Sequence, residues 1–187
     1  MNSKTKRFIF ITLGLGAFLI YATKIFGNNT STGKNIVIGD SHAVMIGSKV
    51  KNATAPTQLA HSGWNVSNLI TALNNYPVSP DVSKVFLSIG TNSGFNKNDN
   101  IESLVSKIYA KFPNARLYVF KGSYGWSGRW ENPNAKNDLV PYYQRFSYLN
   151  ATVLNNGLGY FPTDAKAHST SSEQAKAIIN EINSYTL

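Results

Sequence analysis

Residues 35–42 read Asn-Ile-Val-Ile-Gly-Asp-Ser-His, and this stretch determines which fold the sequence predicts. The apolar run Asn35–Ile38 has the length and composition of a buried strand. A Gly39-Asp40-Ser41 turn follows it, and residues 42–50 can form a helix. In an open parallel sheet, reacting groups gather where strands end and helices begin, because backbone N–H groups point there. The stretch therefore predicts an α/β fold with Ser41 at the carboxyl edge of the sheet.

Short apolar runs and helical patterns continue to alternate along the rest of the chain. This alternation predicts a three-layer α/β/α fold with a mainly parallel, flavodoxin-like sheet of about five strands. Ser169 or Thr170 is expected to cap the last helix. Residues 121–141 lose both patterns and are predicted to form a long loop. Further strands are predicted at residues 84–89, 116–120 and 158–161, and further helices at residues 66–73, 101–112, 142–154 and 171–184.

The N-terminal segment is predicted to be a transmembrane anchor. Residues 8–26 are largely apolar and follow a basic cluster at residues 4–7, which predicts a cytoplasmic N-terminus and a domain on the extracytoplasmic side. A cleaved secretory signal is the competing interpretation. Lys24 followed by Ile25-Phe26 interrupts what should be a small-residue cleavage site, which favours an uncleaved anchor.

The predicted organisation has three parts: residues 1–27 are a cytoplasmic stub and anchor, residues 28–34 a polar linker, and residues 35–187 one globular domain. The membrane would be contacted through residues 8–26. A bacterial envelope and a virion membrane are both settings for such an anchored domain. The sequence makes no prediction of oligomeric state.

The charge pattern argues against a nucleic-acid partner. The formal net charge is +9, but four of the basic residues lie in the first thirty positions, and the rest of the chain carries 14 basic against 9 acidic residues. It has no Lys/Arg-rich run and no alternation of Arg with aromatic residues, the footprint that a nucleic-acid groove needs. The mild excess fits attraction to an anionic envelope polymer or phospholipid surface.

Metal and cofactor chemistry is not expected. Cysteine is absent, which excludes disulfides and thiolate metal sites. The three histidines, His42, His61 and His168, contain no pair at i,i+3 or i,i+4 spacing. We therefore predict neither a metal site nor a cofactor.

Four segments carry residues suited to acyl-transfer chemistry. Ser41 opens a helix, so its N–H can face an oxyanion while its hydroxyl points outward. Gly63 can present an N–H at close backbone approach, and Asn92, after the strand at residues 84–89, can donate its side-chain amide. Near the C-terminus, Asp164 and His168 supply the acid and the base that a nucleophilic serine needs.

The order of these segments resembles the SGNH (GDSL-like) hydrolase family over residues 36–179, nearly all of the predicted domain. Two features depart from the family pattern. The spacing from Asp164 to His168 is one residue longer than the family's, and Ser93 stands where the family often has an acid. The family's blocks are similar to Ile38-Gly39-Asp40-Ser41-His42, Ser62-Gly63-Trp64, Gly90-Thr91-Asn92 and Asp164-Ala165-Lys166-Ala167-His168.

The resemblance implies a serine esterase or deacylase. Ser41 would be the nucleophile, His168 its base and Asp164 the acid, with Ser41, Gly63 and Asn92 forming the oxyanion hole. The predicted anchor and the aromatic loop favour acylated cell-wall glycan as the substrate, and the resemblance also allows a lipid ester, in a bacterial envelope or a phage lysis setting. Alternatives are a polysaccharide O-acyltransferase and a non-catalytic glycan-binding or structural module.

Further residues are candidates for substrate contact. His42 adjoins the nucleophile, although a helix-start histidine that makes a local hydrogen bond is the simpler interpretation. Aromatic faces beside a cation would suit a sugar ring, but the same rings could only pin the loop to the domain. His61 has no carboxylate nearby in sequence and is interpreted as structural. The loop candidates are Tyr124, Trp126, Arg129 and Trp130.

Overall fold

Five parallel strands form one sheet in the computed structural model, which describes residues 33–126 and 135–187. The strand order is β2-β1-β3-β4-β5, the flavodoxin-like order, and every neighbouring pair runs parallel. The predicted α/β/α architecture is therefore confirmed. The strands are β1 (Lys34–Gly39), β2 (Ala53–Thr54), β3 (Val82–Ser88), β4 (Arg116–Tyr124) and β5 (Thr152–Tyr160).

Helices cover both faces of the sheet because successive strand side chains point to opposite sides. In β1, Ile36 and Ile38 belong to one buried cluster, while Val37 between them belongs to the other. The first cluster includes α2, α3 and α4, and the second includes α1 and α6. The helices are α1 (Ser41–Gly47), α2 (Val66–Asn75), α3 (Ile101–Lys111), α4 (Ala135–Tyr148), α5 (Asp164–Ala167) and α6 (Glu173–Tyr185).

The central strands β3 and β4 separate toward their carboxyl ends. Their paired register ends at Leu87 opposite Val119. Beyond that point the buried Tyr143 hydroxyl bridges the two segments. It accepts from the Gly122 N–H on β4 at 2.8 Å and donates to the Ile89 carbonyl after β3 at 3.2 Å. Burial raises the pKa of Tyr143, so the hydroxyl keeps the proton that this bridge needs.

The region between α4 and β5 differs from the prediction. The helix expected at residues 142–154 ends at Tyr148, and the strand expected at residues 158–161 already begins at Thr152. Asn150, with φ 63°, makes the turn between them.

Two polar residues within β5, Asn155 and Asn156, explain why its first half was not predicted from the sequence. The N–H groups of Asn155 and Asn156 donate to the two Glu181 carboxylate oxygens at 2.9 Å each, rather than to a strand. The register of β4 against β5 shifts at the same level. Two asparagines in the middle of a strand break the apolar alternation on which the prediction depended.

Three smaller differences lie elsewhere. The two-residue strand β2 was not predicted, and β4 extends to Tyr124, into the expected loop. The cap of the last helix is Ser172 and not Ser169 or Thr170, because its hydroxyl accepts from the Ala175 N–H at 3.1 Å.

The predicted anchor at residues 8–26 lies outside the described residues, as does most of the linker. Within residues 33–126 and 135–187, no helix combines the length and the apolar character needed to cross a membrane. The anchor and the domain boundaries stay predictions.

Candidate active site

The turn between β1 and α1 sets the position of Ser41. Gly39 has φ 128°, and a Cβ there would lie 1.8 Å from the Ser88 carbonyl oxygen. Glycine thus lets the two strands approach so closely that the Asp40 N–H donates to that carbonyl at 2.9 Å. The Asp40 side chain then caps α1 by accepting from the His42 N–H at 3.0 Å. Ser41 follows as the first, half-buried residue of the helix.

The structure places the side chains of Ser41, His168 and Asp164 next to one another. Ser41 Oγ lies 2.6 Å from His168 Nε2. On the other side of the ring, His168 Nδ1 lies 2.8 Å from Asp164 Oδ1 and 3.1 Å from the Asp164 carbonyl oxygen. This is the arrangement of a nucleophile, a base and an orienting acid.

Helix α5 accounts for the longer spacing between Asp164 and His168. Thr163 caps this single turn, and the His168 N–H donates to the Asp164 carbonyl at 3.0 Å. Residues four apart lie on the same face of a helix. The additional residue therefore completes a helical turn that points the carboxylate at the imidazole.

Two loops, one after β2 and one after β3, approach each other at the carboxyl edge of the sheet. The His61 N–H donates to the Gly39 carbonyl at 3.0 Å, which ties the first loop to the end of β1. Asn92 Nδ2 donates to the Trp64 carbonyl at 2.9 Å, which joins the second loop to the first. Because an amide nitrogen has two hydrogens, Asn92 keeps one more to donate.

Gly63 lies in the first loop with φ 80°, and a Cβ there would meet nothing within 4 Å. Its backbone conformation, and not a lack of space, is what favours glycine. Asn92 lies in a 3-10 turn, Thr91–Ser93, between Gly90 and Gly94 in left-handed conformations. Both predicted oxyanion donors are thus on tightly turned backbone at the carboxyl edge of the sheet.

Asp99, which the sequence analysis missed, supports the Asn92 turn. Its Oδ2 accepts from the Ser93 hydroxyl at 2.6 Å and from the Tyr142 hydroxyl at 3.0 Å. Burial, with the Asp99 charge beside it, raises the pKa of Tyr142 well above its usual value. Ser93, which follows Asn92 directly, carries no charge, and Asp99 supplies a carboxylate to this turn from six residues further on. No fixed spacing in the sequence indicates this carboxylate.

His42 is fully buried, so it is not placed to contact substrate as predicted. Its Nε2 lies 2.9 Å from Ser123 Oγ, a partner on β4 and not a local one. Its ring stacks on that of His168, with centroids 5.0 Å apart and planes 9° apart.

The predicted loop candidates have different positions. Trp126 is buried against His168, with ring centroids 6.4 Å apart, and half-buried Tyr124 packs edge-on against exposed Tyr160. Arg129 and Trp130 lie outside the described residues.

His61 lies at the surface, away from any group of metal ligands among the described residues. His61 is exposed and stacks on Trp64, with centroids 5.3 Å apart. In the described part of the chain no three His, Asp or Glu residues group as metal ligands.

The fold and this geometry define a class: parallel α/β domains with a serine, a histidine and an acid at the carboxyl edge of the sheet. Among solved structures, the chain is similar to the lipase/acylhydrolase from Enterococcus faecalis, with a TM-score of 0.52 at 13% identity, covering 82% of this chain and 94% of that one. The predicted resemblance to the SGNH-like hydrolases is thereby confirmed at the level of the fold.

Two further solved structures match with lower scores. Phospholipase A1 from Streptomyces albidoflavus has a TM-score of 0.48 at 15% identity, covering 65% of this chain and 78% of that one. A family two carbohydrate esterase from Clostridium thermocellum has a TM-score of 0.40 at 14% identity, covering 82% of this chain and 63% of that one. No protein-family model matches the chain, and no curated protein matches it in sequence.

Proposed function

We propose that this chain is a serine hydrolase that cleaves carboxylic esters or related acyl groups. The observation that carries the proposal is the contact of 2.6 Å between Ser41 Oγ and His168 Nε2, with Asp164 Oδ1 2.8 Å from the opposite ring nitrogen. A serine hydroxyl is a weak nucleophile until such a base accepts its proton. The fold, shared with a lipase/acylhydrolase, is compatible with this chemistry.

The proposed reaction has two halves. Ser41 Oγ attacks the acyl carbonyl while His168 Nε2 takes the hydroxyl proton, and the leaving alcohol then takes that proton from His168. Water attacks the resulting acyl-serine with His168 again as the base, which releases the acid and restores Ser41. The Asp164 carboxylate keeps the hydrogen of the neutral ring on Nδ1, so that Nε2 is free to accept.

The negative charge on the tetrahedral intermediate needs donors in place before reaction. The Ser41 N–H, the Gly63 N–H and the free hydrogen of the Asn92 amide are proposed for this role. Asn92 is held in place by its bond of 2.9 Å to the Trp64 carbonyl, so little reorganisation is required.

The proposed substrate class is acylated cell-wall glycan or lipid on the extracytoplasmic side of a membrane, in a bacterial envelope or a phage setting. The support is the predicted anchor at residues 8–26 and the basic excess of the domain. Helix α5 accommodates the longer spacing from Asp164 to His168, so this spacing does not argue for the non-catalytic alternative.

The decisive experiment uses the full chain in detergent with a fluorophosphonate probe. We expect labelling of native protein at Ser41, loss of labelling after heat denaturation, and turnover of a short-chain aryl ester. Ser41→Ala should remove both labelling and turnover. Ser48→Ala, at the other end of α1 and exposed, is the matched control and should retain both. Unlabelled, inactive native protein, or a fully active Ser41→Ala variant, would contradict the proposal.

A further inference from the structure

A second imidazole lies directly against the proposed catalytic base. His42 has no exposed surface, and its ring is nearly parallel to that of His168, 5.0 Å away. Trp126 meets the His168 ring edge-on at 6.4 Å and 63°. The base is therefore enclosed by two rings, while 31% of its own side chain remains exposed toward the open side.

A buried hydrogen-bond chain connects these two enclosing rings. Trp126 Nε1–H donates to Ser123 Oγ at 3.0 Å, and Ser123 Oγ lies 2.9 Å from His42 Nε2. Ser123 is fully buried and Trp126 nearly so. A fully buried polar side chain is costly unless it is paired, so this chain is under strong constraint to stay formed.

The groups at the two ends of this hydrogen-bond chain, the Trp126 indole and the Asp40 carboxylate, indicate which atoms donate and which accept. An indole N–H can only donate, so the Ser123 hydroxyl accepts there and has its own hydrogen left for His42 Nε2. His42 then carries its hydrogen on Nδ1, where Asp40 Oδ1 lies 3.5 Å away. That separation exceeds a hydrogen bond, but a bare Nδ1 lone pair facing a carboxyl oxygen would be repelled.

We infer that His42 and Ser123 are positioning residues that hold the His168 ring in the orientation required for proton transfer. The inference rests on the proposed function. The hydrogen-bond chain through Ser123 fixes the orientation of the His42 ring. The stacking contact between the two imidazoles then restricts the tilt of His168. Exposed Asp164 alone would leave the imidazole free to tilt, because 61% of that side chain is accessible. Small misplacements of a catalytic group are costly in rate.

The kinetic test is a double-mutant cycle in the full chain. His42→Phe keeps a stacking ring and loses both nitrogens, whereas Ser123→Ala removes only the bridging hydroxyl. Each variant should lower kcat about tenfold or more with KM changed less than about twofold, because ground-state binding is untouched. The double variant should be little worse than either single variant, since both break the same chain.

Ser88→Ala is the matched control. Ser88 is also fully buried near the same strand ends, but its hydroxyl makes no hydrogen bond among the described residues. Its kcat should stay within about twofold of the wild type. Additive losses in the cycle, or equal losses in Ser88→Ala and Ser123→Ala, would overturn the inference. Thermal unfolding of each variant identifies any loss that merely follows unfolding.

A second measurement does not depend on turnover. Nitrogen-15 spectra of labelled histidine report which ring nitrogen carries hydrogen. We expect His168 in the Nδ1–H form in all three proteins, because Asp164 holds that form, with ring signals that are sharp in the wild type and in Ser88→Ala and broadened by ring motion in Ser123→Ala. An unchanged His168 spectrum in Ser123→Ala overturns the positioning role. If the fluorophosphonate probe did not label Ser41 in the native wild-type protein, the proposed function itself would be overturned.

Discussion

At the scale of a single residue, the contact of Asp164 Oδ1 with His168 Nδ1 can be tested by one substitution. In Asp164→Asn, the amide can donate to His168 Nδ1, which would force the ring hydrogen onto Nε2 and block acceptance from Ser41. The Asp164 carbonyl at 3.1 Å favours the productive form and should soften the effect. We expect kcat to fall by about 10² to 10⁴-fold.

Aryl ester kinetics at fixed pH measure this loss. Asp81→Asn is the control, because the Asp81 carboxylate forms an exposed ion pair with Lys34 at the amino end of β3. A loss below about tenfold in Asp164→Asn would mean that the backbone carbonyl is sufficient and that Ser41 and His168 act as a dyad.

Alanine substitutions of His168 and His61 should have very different effects on turnover. His168→Ala should lower turnover by several orders of magnitude, because it removes the base bonded to Ser41. His61→Ala removes an exposed ring that stacks on Trp64 and contacts the Ser62 carbonyl, and it should have a small effect. Steady-state kinetics of the two variants decide the assignment, and equal losses would mean that the base is misassigned.

Asn92→Ala should lower kcat by about 10² to 10³-fold with KM little changed, as expected for a donor that acts mainly in the transition state. Asn96→Ala, an exposed asparagine in the same loop, is the control. If the Asn92 variant changed KM alone, the amide would be a ground-state contact and not an oxyanion donor.

Site residues that directly follow a strand, such as Ser41 and Asn92, could be predicted from the sequence. One short motif shows both the type of residue and its position at the end of the strand. Ser123 and Asp99 could not be recognised in that way. Each acts through a partner on a distant element, Ser123 with His42 and Asp99 with Tyr142, and neither spacing has a fixed rule.

At the scale of elements, Gly39 is the position on which the β1–α1 turn depends. In Gly39→Ala the new Cβ would overlap the Ser88 carbonyl, in addition to the unfavourable φ of 128°. We expect the free energy of unfolding to fall by more than about 3 kcal/mol, since strain and steric overlap act together.

Gly159→Ala is a matched comparison, because that glycine also has positive φ, 72°, but open space around it. Its cost should be about 1–2 kcal/mol, the strain contribution alone. Urea unfolding measures both variants. Similar losses in the two would mean that the close approach of β1 and β3 can relax.

The elements that the sequence predicted well have uninterrupted periodicity. In α3, buried Ile101, Leu104, Val105 and Ile108 repeat at helical spacing between an asparagine cap and a terminal lysine. In β5, by contrast, tertiary bonds from Glu181 to Asn155 and Asn156 compensate for the missing apolar residues. Such compensation comes from a distant helix and leaves no local pattern.

At the scale of the whole molecule, removing residues 1–27 should leave a soluble domain that still reacts with the probe. The reason is that residues 33–126 and 135–187 already bury two hydrophobic clusters, one on each face of the sheet. Size-exclusion chromatography and labelling at Ser41 measure the outcome, with the full chain in detergent as the control. Aggregation or loss of labelling would show that the boundary is wrong.

The separation of 127 residues between Ser41 and its hydrogen-bond partner His168 has a consequence for how the chain acquires its reactivity. The nucleophile is synthesised early, but its base arrives only after all five strands, so a chain that stops before residue 168 carries an inert serine. Parallel pairing between distant segments is also slow to form. During refolding from urea, probe reactivity should therefore return no earlier than the slowest change in tryptophan fluorescence.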